Sequence, residues 1–351
     1  MRIADIPFEK YSESPTPTDV RFMNRRFDRM MVYRPYFDSR LAWYPRAWFY
    51  QNAYALYPEA AVTRAHPEWV LRDAEGRRLY IPWGCHDGTC PAFAANILDP
   101  AFRAWWIETA GAGLAKGYRG IFVDDVSLTE RVSDGAGKMV PPIDPVTGRP
   151  IDATLWAEAM DAFVEQIRAA FPTTEIVHNS VWFYDTGHDH KSPLLHRQIA
   201  AADYSLMEFG VADGGITGGD GPFSLAQLMR YVDVSHGLGR PVILGGTPGD
   251  RQGRGYALGC YLLVADGRDL ILDDHVTPAD PAPVYQVPLG RPLGPRFRWH
   301  GGWRRDFSGG SVVVNEPDAS PLPLDGLGGR QWDGAPLPPT LAAKAAVIAL
   351  R

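Results

Sequence analysis

Residues 117–127, Gly-Tyr-Arg-Gly-Ile-Phe-Val-Asp-Asp-Val-Ser, constrain the chain more than any other stretch. Ile121, Phe122, Val123 and Val126 are strand formers, and Gly117 and Gly120 punctuate the start of the run. A segment this apolar suits a strand covered on both faces, as strands of parallel sheets are. It ends in two carboxylates, Asp124 and Asp125. In α/β folds, ligands and catalytic groups gather where the chain leaves the C-terminal end of a strand through variable loops. Side chains alternate along a strand, so Phe122 and Asp124 share one face while Val123 and Asp125 share the other. The two acids are therefore expected to diverge. One serves a site, and Asp125 has the alternative of capping the following loop.

Around this stretch the chain alternates strand-like and helix-like segments. Residues 30–37 read as the first strand, with Tyr36 and Asp38 near its end. Residues 41–57 are dense in aromatics without a clean period, part core and part cleft lining. Residues 66–82 read as a hairpin about Glu75-Gly76, and residues 94–98 as a short strand. Asp99-Pro100 starts a helix, with Asp as N-cap and Pro at the first position. Residues 127–153 are rich in Gly and Pro, and residues 132–152 are expected to border the substrate as a lid. A helix comes next over residues 156–167, then strands at 175–182 and 203–209, the second ending in Glu208. Ser224-Leu-Ala-Gln227 is a capping-box signature. Residues 241–246 and 269–273 are strands, with a helix over residues 256–264 between them.

This repeat runs to about residue 275 and predicts a parallel α/β fold, a closed (β/α)8 TIM barrel rather than an open sheet. No Gly-x-Gly-x-x-Gly comes after the first strand to indicate a dinucleotide fold. The chain of 351 residues has room for one barrel of roughly 250 residues and a small addition. The expected organisation is an N-terminal arm at residues 1–28, the catalytic barrel at 29–278, and an all-β, sandwich-like domain at 284–351.

Charge and cysteine content narrow the chemistry. A net charge of −6 without a basic stripe speaks against nucleic-acid binding. No apolar run approaches the ~20 residues of a membrane span. Residues 1–18 are polar and lack a signal-peptide core, so a cytoplasmic chain is expected unless a leader has been removed. Cys85 and Cys90 flank His-Asp-Gly-Thr and suit either a small disulfide loop or half of a metal site. Cys260 lies in an apolar segment and reads as core.

Asp124 and Glu208 end two strands separated by one other, so in a barrel they could face each other across the mouth. Two carboxylates flanking one bond are what glycoside cleavage needs. The alternative for Glu208 is a structural bridge to an arginine. His178 and Asn179, on the strand between them, and Trp182 at its close, are candidates for substrate contact, as are Tyr36, Asp38 and Asp125. For His178 a purely structural role stands beside the functional one. His188-Asp189-His190 offers a metal reading, although such pairs belong on a strand rather than in a polar loop.

The run Tyr-Arg-Gly-Ile-Phe-Val-Asp124-Asp-Val resembles the catalytic strand of retaining α-glycosidases and of glycoside-hydrolase-like (β/α)8-barrel families. Residues 67–77 and 98–106 are similar to the segment that precedes that strand. Residues 303–315, Trp-Arg-Arg-Asp-Phe-Ser-Gly-Gly-Ser-Val-Val-Val-Asn, are similar to a hairpin of their C-terminal β-domain. The resemblance spans residues 66–315 and implies Asp124 as nucleophile and Glu208 as acid/base. Asp125 stands where several relatives have Met or Asn. The resemblance thus implies a cofactor-independent glycoside hydrolase whose substrate is an oligosaccharide or polysaccharide, with an α-linkage favoured. The alternatives are a non-catalytic carbohydrate-binding barrel and a metal-dependent hydrolase using His178, His188 and His190.

Overall fold

The apolar run before Asp124 does form a parallel strand, and seven further strands also pair in parallel. The computed structural model describes residues 3–5, 12–180, 182 and 190–351. Its parallel strands are β1 (Ile3–Asp5), β2 (Arg29–Val32), β3 (Ala47–Asn52), β4 (Gly120–Asp124), β5 (Glu175–Asn179), β6 (Tyr204–Met207), β7 (Val242–Leu244) and β8 (Leu270–Leu272). The longer helices among the described residues are α1 (Pro17–Arg26), α2 (Pro100–Leu114), α3 (Ala153–Ala170), α4 (Pro193–Ala201), α5 (Leu225–Gly237) and α6 (Arg251–Val264). Strands and helices alternate, as expected of an α/β chain. Two compact units result, Trp48–Asp203 and a second made of Met1–Ala47 with Tyr204–Arg351.

In the unit Trp48–Asp203, β4 lies between β3 and β5, all parallel. The register sets Asn52 opposite Asp124 and Val123 opposite His178. Asp99 caps α2 by accepting from the Ala101 amide, and Asp152 caps α3 by accepting from the Leu155 amide. Each such cap is worth about 1 kcal/mol. Trp106 of α2 and Trp156 and Phe163 of α3 are fully buried, with the Trp106 and Phe163 rings edge to face at 5.5 Å. The aromatic stretch at residues 41–57 contains β3, which the missing period had hidden.

Residues 127–153 are not a loose lid. Tyr80 and Ser133 exchange both backbone hydrogen bonds at 2.9 Å, and the Ile143 amide donates to the Arg72 carbonyl at 2.8 Å. Gly135 has φ +87°, and a Cβ there would lie 2.4 Å from the Gly88 carbonyl oxygen. That close approach joins the segment to the Cys85–Cys90 loop, whose cysteines form a disulfide. The expected hairpin at residues 66–82 is present as an antiparallel Arg72–Arg78 bridge, and Asp73 Oδ1 accepts from the Glu75 and Arg77 amides.

The second unit carries the parallel order β2-β1-β8-β7-β6. Among the described residues before residue 29, β1 pairs on both sides and α1 starts at a Thr16–Asp19 capping box. The expected first strand is shorter than residues 30–37 and stops at Val32. Beyond β8 an antiparallel sheet forms from β9 (Phe297–Trp299), β10 (Gly302–Phe307), β11 (Gly310–Asn315), β12 (Arg330–Gln331) and β13 (Ala345–Leu350), ordered β9-β10-β11-β13-β12. A separate pair, Leu322–Pro323 with Thr340–Leu341, covers a small core of Val313, Leu322, Leu341 and Val347.

Helix α6 is buried along most of its length and packs on β11 and β13. The Arg305 guanidinium of β10 donates to the carbonyls of Leu262, Leu263 and Ala265, which are otherwise left open at the helix end. The C-terminal sheet thus shares its core with the strand–helix part of this unit. Gly259 is the point of closest approach: a Cβ there would sit 2.4 Å from Ala346 Cβ and 3.1 Å from Val314 Cγ2. Gly259→Val should therefore lower the unfolding free energy by about 1–3 kcal/mol in a urea titration, as overpacked cores do. An unchanged midpoint would show that the helix and sheet can separate freely.

Candidate active site

Strands β3, β4 and β5 end side by side in Asn52, Asp124 and Asn179. Alternation turns Tyr50 and Asn52 to the same face of β3, and Tyr50 stacks on Phe122 of β4 at 6.1 Å and 19°. The outcome is a polar cluster at the C-terminal strand ends, where parallel sheets place their ligands.

Asp124 is its centre. Its Oδ2 accepts from the Tyr50 hydroxyl at 2.6 Å. Its Oδ1 accepts from Asn179 Nδ2 at 2.8 Å and from the Asp125 amide at 3.0 Å. Three donors converging on one carboxylate fix its orientation.

The expected divergence of the two acids does not occur. Asp125 has φ +57°, a left-handed conformation that breaks the strand alternation. Its Oδ2 accepts from Asn52 Nδ2 at 2.6 Å, and its Oδ1 lies 3.5 Å from Arg131 Nη1. Asn52 Nδ2 is also 3.5 Å from the Tyr50 hydroxyl. Both acids are thus held by the same face of β3. Tyr50, Asn52 and Arg131 were missed in the sequence. The polar alternation Tyr50-x-Asn52 at the close of an aromatic run was the available signal.

Buried groups fix this cluster from behind. Trp106 Nε1 donates to the Asn52 carbonyl at 2.8 Å, and Trp156 Nε1 to the Ser127 carbonyl at 3.2 Å. The Tyr54 hydroxyl donates to the Arg131 carbonyl at 3.2 Å. Burial, then the charge of Asp124, push the phenols of Tyr50 and Tyr57 above their ordinary range, so both stay protonated donors at neutral pH. Burial alone raises the partly buried Glu130 carboxyl from 4.5 to about 7.

The other expected residues each have surroundings of their own. His178 points away from Asp124, as its pairing with Val123 requires. It is 1% exposed, its Nδ1 meets the Gln198 carbonyl of α4 at 3.1 Å, and burial drives its pKa down to about 3. It is a core histidine rather than a substrate contact. Trp182 is buried. In the second unit, the Tyr36 hydroxyl meets Ser12 Oγ at 3.1 Å, and Asp38 opens a short 3-10 turn, 3.7 Å from Arg34 Nε. His188 and Asp189 lie outside the described residues. Among the described residues, His236, Asp266 and Asp269 come close enough to hold a cation. The Asp269 carboxylate already accepts from the Val242 and Asp266 amides and meets His236 Nε2 at 2.9 Å, which makes it a structural tie.

Glu208, also in the second unit, directly follows β6 and is exposed, as is Phe209 beside it. Its backbone is tightly held. A Cβ on Gly245 would lie 2.3 Å from the Glu208 carbonyl oxygen, and one on Gly246 would lie 2.2 Å from that of Phe209. The loop beyond is pinned to the C-terminal sheet, where Glu316 Oε2 accepts from the Gly219 amide at 3.0 Å. Glu316 Oε1 is taken by Arg298 and Trp303, each at 2.6 Å.

Residues 30–191 match the family described as Hypothetical glycosyl hydrolase family 15, a segment that includes Asp124 and stops before Glu208. The resemblance to glycoside-hydrolase-like proteins is therefore borne out. No curated protein matches the chain. Among solved structures, an α-galactosidase from Thermus thermophilus is similar at a TM-score of 0.52 and 12% identity, over 87% of this chain and 64% of that one. A family 36 α-galactosidase from Geobacillus stearothermophilus is similar at 0.51 and 11%, over 100% of this chain and 56% of that one. The chain thus spans under two thirds of either enzyme. The glycoside hydrolase domain of PelA from Pseudomonas aeruginosa is matched at 0.46 and 12%, over 78% of this chain and 94% of that one. At these identities the likeness to the two α-galactosidases concerns the fold alone, an α/β chain of the TIM-barrel kind.

The raised Glu130 carboxyl has a consequence for stability. Between its ordinary 4.5 and about 7 the native state keeps a proton that the unfolded state has lost, so stability falls as pH rises through that window. Glu130→Gln should flatten this decline and raise the melting temperature at pH 8. Equal slopes for the two proteins between pH 4.5 and 7 would contradict the burial of this carboxyl.

Proposed function

We propose, for a chain that resembles a glycoside-hydrolase-like family over residues 30–191, that it is a retaining glycoside hydrolase whose eight parallel strands close into a barrel. The observation that carries the reading is the grip on Asp124. A carboxylate at a strand end whose orientation is fixed by three donors is suited to attack. Asp124 is the nucleophile and Glu208 the acid/base.

In the first step Asp124 forms a bond to the anomeric carbon. The bond to the leaving oxygen breaks with its electron pair, and that oxygen takes the proton of Glu208. In the second step Glu208 removes a proton from water, which displaces Asp124 and restores the anomeric configuration. Asp125 and Arg131, held beside Asp124, bind sugar hydroxyls, and the exposed Phe209 beside Glu208 offers an apolar face to a sugar ring. The family resemblance favours an α-linked oligosaccharide or polysaccharide as substrate.

A glycan panel combined with NMR of the first-formed anomer tests this reading. Asp124→Asn and Glu208→Gln should each lower kcat by about 10³-fold or more with the fold intact. An aryl glycoside with an acidic leaving group should partly restore the first step in Glu208→Gln and not in Asp124→Asn. Inversion of configuration would replace nucleophilic attack by base catalysis. Sugar binding without turnover by the wild-type protein would make the barrel a binding protein.

A further inference from the structure

The two oxygens of Asp124 are not equivalent. Oδ1 takes two donors, Asn179 Nδ2 and the Asp125 amide, and so has both lone pairs engaged. Oδ2 takes the Tyr50 hydroxyl alone among the described residues and keeps one lone pair. We infer that Oδ2 is the reacting oxygen and that Tyr50 is a further catalytic residue, the donor that holds this oxygen in the ground state and receives it back when the glycosyl ester is hydrolysed. The inference rests on the hydrolase reading for its chemistry, and on the geometry alone for the Tyr50–Asp124 grip.

This placement fixes where the electrons go. As Oδ2 bonds the anomeric carbon it becomes an ester oxygen and a poorer acceptor, so the Tyr50 hydrogen bond weakens. The carbonyl character moves to Oδ1, where Asn179 and the Asp125 amide remain in place. In the second step the bond between Oδ2 and carbon breaks, and its electron pair returns to Oδ2. A donor waiting at 2.6 Å stabilises the charge that reappears there. Tyr50 therefore assists the second step and restrains the first. It is not itself the nucleophile, because burial and the neighbouring charge keep it a phenol. Its ring is fixed by stacking on Phe122, and its oxygen by Asn52 Nδ2.

Tyr50→Phe removes one hydroxyl and leaves the stacked ring, so the fold should survive. With an aryl glycoside, kcat should fall about 10- to 100-fold and KM should fall with it, while kcat/KM stays within about threefold, the pattern of a slowed second step. A pre-steady-state burst of the phenol should appear. A fall in kcat/KM equal to that in kcat, or unchanged kinetics, would overturn the inference. A structure of the trapped glycosyl-enzyme should show the bond at Oδ2, and a bond at Oδ1 would also overturn it. A second measurement needs no turnover. A hydroxyl donating to a carboxylate at 2.6 Å should give a proton resonance shifted far downfield in the NMR spectrum, and Tyr50→Phe should remove that signal. A wild-type spectrum without it sinks the Tyr50 grip. A wild-type protein that hydrolyses no glycan sinks the hydrolase reading instead, and the NMR result tells the two failures apart.

Discussion

A carboxylate at the end of a covered strand is costly unless its charge is met, and meeting the charge of Asp124 organises everything near it. The donors come from the strand on either side and from the next residue in the chain, so the site exists only while β3, β4 and β5 keep their register. A slip of one residue in β3 would turn Tyr50 and Asn52 to the opposite face and take their donors away from Asp124 and Asp125. Register is protected in turn by packing behind the sheet. Trp106 and Trp156 each bury an indole and direct its N–H to a carbonyl at the strand ends. Core and site are therefore one construction, with large aromatic rings supplying both the burial and the hydrogen bonds that aim the polar residues.

The same physics decides how much of this was legible in the sequence. β4 was legible because its residues are apolar on both faces and its end is marked by charge. Helix starts at Asp99 and Ser224 were legible because capping is local chemistry. β3 was not, since bulky aromatics on both faces erase the two-residue period, and two of the site's donors went with it. β1 is too short to show a pattern. His178 was assigned to the substrate from its nearness to the strand end, although alternation with Asn179 sends it to the helix side. The left-handed turn at Asp125 had no signature at all, and it is this turn that brings the second acid back to the site. The Cys85–Cys90 spacing suits a disulfide and a metal equally, and only three-dimensional proximity separates the two.

The segment after β4 shows how composition misleads about mobility. Glycine and proline between residues 127 and 153 suggest a loose lid, yet the same residues permit close backbone contact. Gly135 tucks against the Gly88 carbonyl because it has no side chain to prevent it. The Gly245–Gly246 pair does the same beside Glu208 and Phe209. In both places glycine serves compactness, and the loops it builds are held to their neighbours by main-chain contact.

Helix α6 has the C-terminal sheet against one side, with Gly259 at the contact and Arg305 closing the helix end from that sheet. A sheet that completes a helix belonging to another part of the fold cannot be exchanged for a different module by recombination at the intervening loop. Any lineage that swapped the sheet would inherit a helix with unmet carbonyls and a notch where Ala346 had been. Residues 284–351 should accordingly descend together with the strands before them, and variation in this part of the chain should appear as paired changes across the α6 face rather than as gain or loss of a whole appendage.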